Sequence, residues 1–390
     1  MSDLSDEELA SQFEKLGHEV ASRFKGKGDN EGLRALRTAQ KTARQILTPM
    51  QFSREQSWAP AELAVATLAC EMNIFKAIAS STKPQSIADI TKHAKGNDEI
   101  LVTKIVRHLA AHGMVEQLAL DSYGPNELTM DLTDPGRIGD KYTMLFTMKA
   151  LADLPYFFRE NGYNVSTDPK NTVWQKTYDR RTMFEWLEGN PEQGRYFNDF
   201  MTIARSTDRD ELARLYPFET LFEGSSTEDV LFVDVGGGFG QQCMNLRRSF
   251  PASRGRVILQ DLPFVVEGKQ VPDVEVMAHD MMTEQPVKGA RVYYFRGVCH
   301  DHPDDNCRKF LGQIVKAMDR NSRVLIHDQL IDELDPGQYI TRADFVMMAL
   351  FGGQERSEAQ MRSLLESVEL RVVGMHKPGP EQWTITEAML

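Results

Sequence analysis

One stretch of this sequence constrains the fold more than any other, because an apolar run breaks abruptly into glycines. Residues 231–240 read LFVDVGGGFG, and the chain continues as QQCMNL. Such a run of β-branched and aromatic residues, then glycines, then a helix-compatible segment predicts the strand, tight turn and helix that open a nucleotide-binding α/β unit. Glycines lack a Cβ atom, so the turn can adopt positive φ and its backbone can lie against a ligand.

The spacing of the glycines distinguishes between nucleotides. A dinucleotide fingerprint needs glycine at its first, third and sixth positions, but counting from Gly236 the sixth position is Gln241, which argues against NAD. The chain instead has an acid followed by glycine at alternate positions, namely Asp234, Gly236, Gly238 and Gly240. This pattern resembles the first motif of class I S-adenosylmethionine-dependent methyltransferases, in which the amino-acid end of the cofactor lies over the glycine turn. A purely structural glycine loop is the plainer interpretation of the turn taken alone.

The next predicted strand supports a nucleotide site. Residues 256–260 read RVILQ and are followed by Asp261, Leu262 and Pro263. An acid at the end of the second strand of such a fold is placed to accept hydrogen bonds from ribose hydroxyls. The same acid before Leu-Pro could instead open a helix as its N-cap, and both roles are compatible.

The chain has 390 residues and a formal net charge of −12. This length suits two domains, and the acidic balance argues against nucleic-acid or anionic-membrane partners, because both select a basic face. The N-terminal MSDLSDEELASQFEKL has no apolar core of signal-peptide length, and no apolar run is long enough to span a membrane. We therefore expect a cytoplasmic protein. The four cysteines have no zinc-site spacing, so we expect reduced thiols and no metal.

Residues 1–135 form the first predicted domain. A serine-then-acid pattern at Ser5 starts a helix, and apolar residues at helical spacing continue to about Leu47. From Pro60 a helix that is apolar all round follows, as in a core or a subunit interface. The stretch 99–113 predicts a further helix before two strands, a winged-helix pattern. DNA binding is one interpretation, but few basic residues are present, which favours an interaction module.

The rest of the chain divides into a connector and a second domain. Residues 136–224 predict helices rich in aromatic and methionine side chains, some of which could line a pocket for a flat aromatic ligand. Residues 225–390 alternate strands with helices, which predicts a parallel sheet, and a closing strand pair predicts an antiparallel hairpin at one edge. The predicted strands are 230–235, 256–260, 274–277, 291–296, 322–327, 369–376 and 382–387.

Three titratable residues near the ends of these strands suggest a chemistry. His300 lies just past one strand, Asp328 ends another, and Glu355 lies in a loop before a helix. One imidazole with two orienting carboxylates is the arrangement of a general base, which can take the proton of a phenol of pKa about 10. Plainer interpretations are a capping turn for His300, a strand-end cap for Asp328 and a surface acid for Glu355.

At this point a resemblance covers nearly the whole chain. The motifs FEWLEGNPEQGRYFNDFM, DVGGGFG, QDLP, HDMM, CHDHPDD and GGQER occur in this order. The chain resembles the caffeate-type small-molecule O-methyltransferases of plants, which have similar enzymes in fungal secondary metabolism. The resemblance implies a class I Rossmann-like α/β fold, a helical winged-helix dimerisation domain, a homodimer, S-adenosylmethionine as cofactor and a small aromatic or polyketide-like acceptor.

The resemblance also implies roles for individual residues. His300 matches the catalytic base and Asp301 the acid beside it, while Asp328 and Glu355 match the acids that orient it. The residues expected to hold the cofactor are Asp234, Gly236, Gly238, Gly240, Asp261, Leu262, Asp280, Met281, Arg296 and Met201. Those expected to contact the acceptor are Phe197, Met347, Met348 and Phe351.

Two other functions remain open at this stage. Some fungal proteins similar to this family keep the cofactor pocket but catalyse dehydrations or pericyclic rearrangements, with the sulfonium as a fixed positive charge. Those proteins tend to lose the histidine base, which this chain keeps at His300. A winged-helix regulator or ligand sensor with a vestigial fold is the non-enzymatic possibility, and the retained His300, Asp328 and Glu355 argue against it.

Overall fold

A computed structural model of the chain describes Ser11 and residues 47–166, 168–204, 211–334, 336–377 and 383–390. The helix predicted between Ser5 and Leu47 lies almost entirely outside these residues. By contact density the chain divides into two compact units, the first comprising Met1–Met148 with Leu187–Ala204 and the second Lys149–Trp186 with Arg205–Leu390. The domain division at 135 and 224 stays a prediction.

The chain up to residue 204 is mostly helical. Its helices are α1 (Pro49–Glu71), α2 (Ile74–Ala79), α3 (Ile87–His93), α4 (Glu99–Ala111), α5 (Glu127–Asp131), α6 (Pro135–Ala152), α7 (Leu154–Glu160), α8 (Val173–Thr177), α9 (Met183–Glu188) and α10 (Pro191–Ala204). Two antiparallel strands, β1 (Glu116–Ala119) and β2 (Ser122–Gly124), follow α4.

The first unit has its own hydrophobic core. Helix α4 begins where the Asp98 carboxylate accepts the backbone N–H groups of Ile100 and Leu101, as an N-cap does. One face of α4 is buried against a cluster that includes Phe75 on α2 and Ile90 on α3. The predicted order of helices followed by a pair of strands is therefore present.

The second unit is built on an eight-stranded mixed sheet. Its strands are β3 (Val230–Val235), β4 (Arg256–Asp261), β5 (Glu275–Ala278), β6 (Val292–Arg296), β7 (Arg323–Ile331), β8 (Arg356–Ser357), β9 (Arg371–His376) and β10 (Trp383–Met389). Its remaining helices are α11 (Glu211–Leu215), α12 (Phe218–Phe222), α13 (Gln241–Ser249), α14 (Pro263–Val266), α15 (Asp304–Ala317), α16 (Gln338–Phe351) and α17 (Glu358–Glu366), with a 3-10 turn at Cys299–Asp301.

The strand order is β5-β4-β3-β6-β7-β10-β9, with β8 paired to β7 away from this path. The first five strands run parallel, and β10 pairs antiparallel with both β7 and β9. A parallel sheet with an antiparallel pair at one edge was predicted and is confirmed. The sequence did not predict β8, and β7 extends four residues beyond its predicted end at 327.

Both faces of the sheet are buried, which explains why its strands are apolar almost throughout. Phe232 and Tyr294 belong to one core cluster, whereas their neighbours Val233 and Phe295 belong to another. Successive side chains of a strand point to opposite faces, so continuous apolar strands are expected where helices cover both sides. The four cysteines are free and buried, as expected.

Among the described residues, no helix is both long enough and apolar enough to cross a membrane. The carboxyl ends of β3, β4, β6 and β7 carry the residues described next, as expected for ligand sites of open α/β sheets.

Candidate active site

The turn after β3 is shaped by backbone conformations that favour glycine. Gly236, Gly238 and Gly240 have φ values of 71°, 61° and 78°, in the left-handed region where glycine pays no steric penalty. At Gly237 the constraint is space, because a Cβ atom there would lie 2.5 Å from the carboxyl group of Asp234. The backbone of this turn is therefore not covered by side chains at its glycines and can contact a ligand at the carboxyl end of β3.

A small hollow faces this turn and is lined by Asp234, Gly236, Gly237, Gln241, Gln242 and Arg296. Asp234 is 1% exposed and Arg296, whose guanidinium lies 4.9 Å from the ring centre of Trp383, is 9% exposed. Within the described part of the chain, Oε1 of Gln241 is buried without a hydrogen-bond partner. Acceptor oxygens and a guanidinium that border one hollow suit an ammonium and a carboxylate together.

Asp261 connects β4 to the glycine turn. Its Oδ2 accepts the backbone N–H of Gly238 at 2.7 Å, and its Oδ1 accepts that of Leu262 at 2.7 Å. The N-cap position of α14 is occupied by Leu262, which makes no side-chain capping bond. The carboxylate therefore stabilises the turn, and its oxygens retain lone pairs for a further donor.

Lys269 holds the glycine turn from another side. Its Nζ lies 3.3 Å from the carbonyl oxygen of Gly238 and 3.6 Å from the centre of the Phe239 ring. A single lysine in a loop is common, so this contact could not be predicted from the sequence.

The acidic loop after β5 contains the residues that the resemblance assigns to adenine. Asp280 accepts the backbone N–H of Met282 through Oδ1 at 2.9 Å. Met281 is half-buried and packs against the core cluster of Val233 and Phe295. Nothing in these contacts tests their assignment to the cofactor.

His300 lies in the 3-10 turn after β6. Its Nδ1 is 2.8 Å from Oε1 of Glu355, and its Nε2 is 3.5 Å from Oδ1 of Asp301. The imidazole side chain is 17% exposed and that of Glu355 is 2% exposed. The surface interpretation of Glu355 is therefore wrong, because the carboxylate is buried against the imidazole.

Asp344 on α16 helps to place Glu355. Its Oδ1 accepts the backbone N–H of Glu355 at 2.8 Å, and burial raises the pKa of its carboxyl group. This contact was not predicted from the sequence.

Asp328 has a different position from the one predicted. It lies inside β7 and not at the strand end, and its Oδ1 accepts the backbone N–H of Gly297 at 3.1 Å. No hydrogen bond joins it to His300 in the described structure, and its buried Oδ2 has no partner there. Asp328 therefore acts on the imidazole through its charge and not by direct contact.

Burial and neighbouring charges in this cluster shift the pKa values of His300 and Asp328. Burial alone would lower the pKa of His300, but the carboxylates of Asp301, Glu355 and Asp328 outweigh it and raise the pKa to about 10. Burial raises the pKa of Asp328 to about 6, against the opposing influence of the His300 charge. The isolated chain therefore holds His300 mainly as an imidazolium near pH 7.

The remaining candidates lie on two helices. Met347, Met348 and Phe351 are on α16, where the Phe351 ring stacks with that of Phe184, with ring centres 5.9 Å apart. Phe197 and Met201 are on α10 in the first unit. The predicted contacts of these residues with cofactor or acceptor stay predictions.

Comparison with known proteins places this geometry in a family. The family model described as an O-methyltransferase domain matches residues 158–369, more than half of the chain. The chain belongs to this O-methyltransferase family. It is 42% identical over 389 residues to O-methyltransferase gsfD of Penicillium aethiopicum, with 98% of each chain covered.

Solved structures agree with this assignment. The O-methyltransferase matches the structure of LepI in complex with SAM with a TM-score of 0.88 and 28% identity, over 99% of this chain and 100% of that one. It also matches a protein described as a pericyclic reaction enzyme with a TM-score of 0.88 and 27% identity, over the same shares. The predicted family, fold and cofactor are confirmed, and the protein is an S-adenosylmethionine-dependent O-methyltransferase.

The residues at the glycine turn fit this cofactor. The hollow is bordered by the backbone of Gly236 and Gly237, where a Cβ atom would meet Val298 or Asp234, and Arg296 and Gln241 offer a cation and an unpaired oxygen. The amino-acid group of the cofactor carries one ammonium and one carboxylate. The Gln241 oxygen suits the ammonium, and the Arg296 guanidinium suits the carboxylate.

Proposed function

We propose that this O-methyltransferase methylates a phenolic or enolic hydroxyl of a small aromatic or polyketide-like secondary metabolite, with His300 as the general base. The observation that carries the proposal is the hydrogen bond between Nδ1 of His300 and the buried carboxylate of Glu355. It leaves Nε2 as the nitrogen that can take a proton, with the Asp301 carboxylate 3.5 Å away.

The raised pKa of His300 suits this task. A phenol has a pKa of about 10, so a proton passes from it to a base of pKa about 10 with little cost. The carboxylates of Glu355, Asp301 and Asp328 stabilise the imidazolium that results. Because the base must first be unprotonated, we expect the rate at low acceptor concentration to rise with pH above neutrality.

The cofactor would be held by the residues around the glycine turn. When bound, S-adenosylmethionine supplies the transferable methyl group on a positively charged sulfonium. Asp234 and Arg296 would bind its amino-acid end, Asp261 and Leu262 its ribose, and Asp280 and Met281 its adenine. The protein then contributes proximity and a base.

Transfer of a labelled methyl group to a panel of phenolic and polyketide-like acceptors tests the proposal. We expect wild type and His93→Ala to transfer label and His300→Ala to lose most of it, because His93 is an exposed histidine on α3 outside the proposed site. Binding of S-adenosylmethionine by calorimetry should be similar in all three proteins. Equal transfer by His300→Ala and wild type would overturn the role of His300.

A second function has specific support. The likeness to a protein described as a pericyclic reaction enzyme and the cationic state of His300 near pH 7 both suit a dehydratase or pericyclase that uses the bound cofactor as a fixed positive charge. Mass spectrometry distinguishes the two, since methyl transfer adds one methyl group to the acceptor and consumes the cofactor. A product of unchanged or water-depleted mass, with the cofactor intact, would favour the second function.

We also propose that the protein is a cytoplasmic homodimer that binds neither nucleic acid nor membranes, and that residues 1–135 act as its winged-helix dimerisation domain. Large apolar side chains are exposed in that range, including Trp58 at 69%, Ile100 at 72% and Leu120 at 94%. Light scattering behind gel filtration tests the dimer, and a mass near the 44.2 kDa of one chain would overturn it.

A further inference from the structure

One buried arginine makes hydrogen bonds to the backbone around the turn that carries His300. Arg356 is the first residue of β8, and its side chain is 1% exposed. Its Nη1 donates to the carbonyl oxygen of Cys299 at 2.7 Å, and its Nη2 donates to that of His302 at 2.9 Å. These two carbonyls lie before and after His300, at the first residue of the 3-10 turn and at the residue that follows it.

The guanidinium has a further anchor in Asp304, the first residue of α15. Nε and Nη2 of Arg356 lie 3.0 and 2.8 Å from the same Asp304 oxygen. Arginine presents its donors in a rigid planar fork, so one side chain joins the turn to the start of α15. A lysine has one nitrogen and could not make all of these bonds at once.

The residues just before Arg356 contact the same turn. The Gln354 backbone N–H donates to the carbonyl oxygen of His300 at 2.9 Å. A Cβ atom at Gly353 would lie 2.1 Å from that oxygen, so only glycine fits there. Glu355 meets the imidazole itself. The segment 353–356, which we call the clasp, thus contacts both the backbone and the side chain of His300.

The clasp is fixed to the central sheet. Arg356 and Ser357 pair in parallel with Leu330 and Ile331 of β7, a strand that also carries Asp328. Alternate residues of an extended segment point to opposite sides. Glu355 can therefore contact the His300 imidazole while the next residue, Arg356, makes hydrogen bonds to the turn backbone.

We propose that Arg356 is a positioning residue, which sets the distance between the His300 imidazole and Glu355 by fixing the turn backbone. The inference rests on the proposed role of His300 as base. Removing the fork would leave the carbonyl oxygen of His302 with only the weak Cys307 thiol donor, and that of Cys299 with the thiol and the His302 backbone N–H. The turn would then relax. Errors of about 1 Å in such a constellation can cost about 100-fold in rate.

The test compares Arg356→Lys with Arg308→Gln as a matched control. Arg308 also pairs with Asp304, at 3.5 Å, but its side chain is 42% exposed and belongs to the surface. We expect Arg356→Lys to lower kcat by about tenfold or more, with KM for the acceptor and cofactor within about twofold, because positioning affects the reacting geometry more than binding. The control should change neither.

A second readout does not depend on activity. Nitrogen-15 NMR of the nine histidines, with His300 assigned from the His300→Ala variant, reports its titration and the state of Nδ1. The charged and titratable groups around His300 are Asp301, Glu355, Asp328, His302 and Arg356. We expect Arg356→Lys, which keeps the charge, to shift this titration and weaken the Nδ1 hydrogen bond, whereas Arg308→Gln leaves both unchanged.

Unchanged kcat and an unchanged His300 titration in Arg356→Lys would overturn the inference. If that variant does not fold, Asp304→Asn loosens the fork while the carbonyl contacts remain, and it should shift both readouts in the same direction beyond the Arg308→Gln control. No shift there would equally overturn it. If the wild type transfers no methyl group but Arg356→Lys still shifts the His300 titration, the proposed function is wrong and the positioning role of Arg356 remains.

Discussion

The glycine turn and the histidine turn lie at the carboxyl ends of two neighbouring strands, β3 and β6, but they are built in opposite ways. The glycine turn uses backbone conformation, and its partners Asp261 and Lys269 are within 31 residues of Gly238. The histidine turn uses charged side chains, and Glu355 is 55 residues from His300.

This difference in construction suggests that the two turns control different quantities, cofactor affinity at the glycine turn and reaction rate at the histidine turn. The glycine turn offers shape and backbone donors, which affect how tightly a cofactor binds. The histidine turn concentrates carboxylates around one imidazole, which under the proposed role of His300 would affect proton transfer. Substitutions in the two regions should therefore change different kinetic parameters, and the following predictions test that separation.

The largest effect is expected at Glu355. Glu355→Gln keeps the size of the side chain but removes the charge that stabilises the imidazolium, so kcat should fall by about 100-fold or more. The dissociation constant for S-adenosylmethionine should remain within about twofold in calorimetry. Glu358→Gln, at the start of the next helix, is the control. A loss of cofactor affinity instead of rate would contradict the separation.

The histidine cluster should also make stability depend on pH. A histidine with a folded-state pKa of about 10, above its unfolded value of about 6.5, stabilises the folded protein fully below the unfolded value. That contribution is lost as pH rises through about 10. The free energy of unfolding should therefore differ between wild type and His300→Gln by about 2 kcal/mol near pH 6.5, where the neighbouring carboxylates are still charged, and the difference should shrink toward alkaline pH.

Urea unfolding at several pH values measures this difference. The paired comparison removes the contributions of groups that do not interact with His300. Asp328 is coupled to His300, and its raised pKa also lowers stability as pH rises, but only up to about pH 6. Measurements above that pH therefore report mainly the His300 titration. A difference that does not vary with pH would show that the imidazolium adds no stability.

At the glycine turn, Gly237→Ala should weaken cofactor binding by about tenfold, because the added methyl group would lie 2.5 Å from the Asp234 carboxyl group and displace the turn. At saturating cofactor, kcat should change little. Gly312→Ala on α15 is a matched control, since its Cβ meets no atom within 4 Å, and it should bind as wild type does. If Gly237→Ala lowered kcat as much as Glu355→Gln does, the two turns would not control separate kinetic parameters.

The smallest effect is expected at Lys269. Lys269→Met removes the contact with Gly238 and the cation over Phe239, each worth about 0.5–1 kcal/mol at a partly exposed site. Cofactor affinity should fall about threefold, as measured by calorimetry. Lys288→Met, at an exposed lysine paired with Glu284, should have no effect, and equal losses in both variants would point to a general charge effect.

Much of the second unit could be predicted from local sequence. The apolar runs that became β3, β4 and β6 are short, bounded by turns and followed by glycine or acid, so their period and punctuation identify them. The glycine spacing argued against NAD, and the resemblance of the turn to a methyltransferase motif implied the cofactor that the comparisons confirm.

The histidine cluster was only partly predictable. The residue types of His300 and Glu355 indicated a base and an acid, but their contact depends on two-residue strand β8, which is too short to give a periodic signal. Asp328 was expected at a strand end, since the histidine before it closes the apolar run. Strand β7 continues past it because β10 pairs with Asp328 and Gln329, and β8 pairs with the two residues after them. Nothing in the sequence indicated that Arg356 is buried.

The position of β10 between β7 and β9 also constrains the order in which the sheet can assemble during translation. Every other strand of the sheet is synthesised before Trp383–Met389, yet β10 occupies an internal place and brings Trp383 beside the His300 ring, with ring centres 6.1 Å apart. Chains emerge from the ribosome N-terminus first, so β7 and β9 must wait for the strand that joins them. The histidine turn therefore acquires its last aromatic neighbour late in translation, and a nascent chain can have a formed glycine turn before the rest of the site is complete.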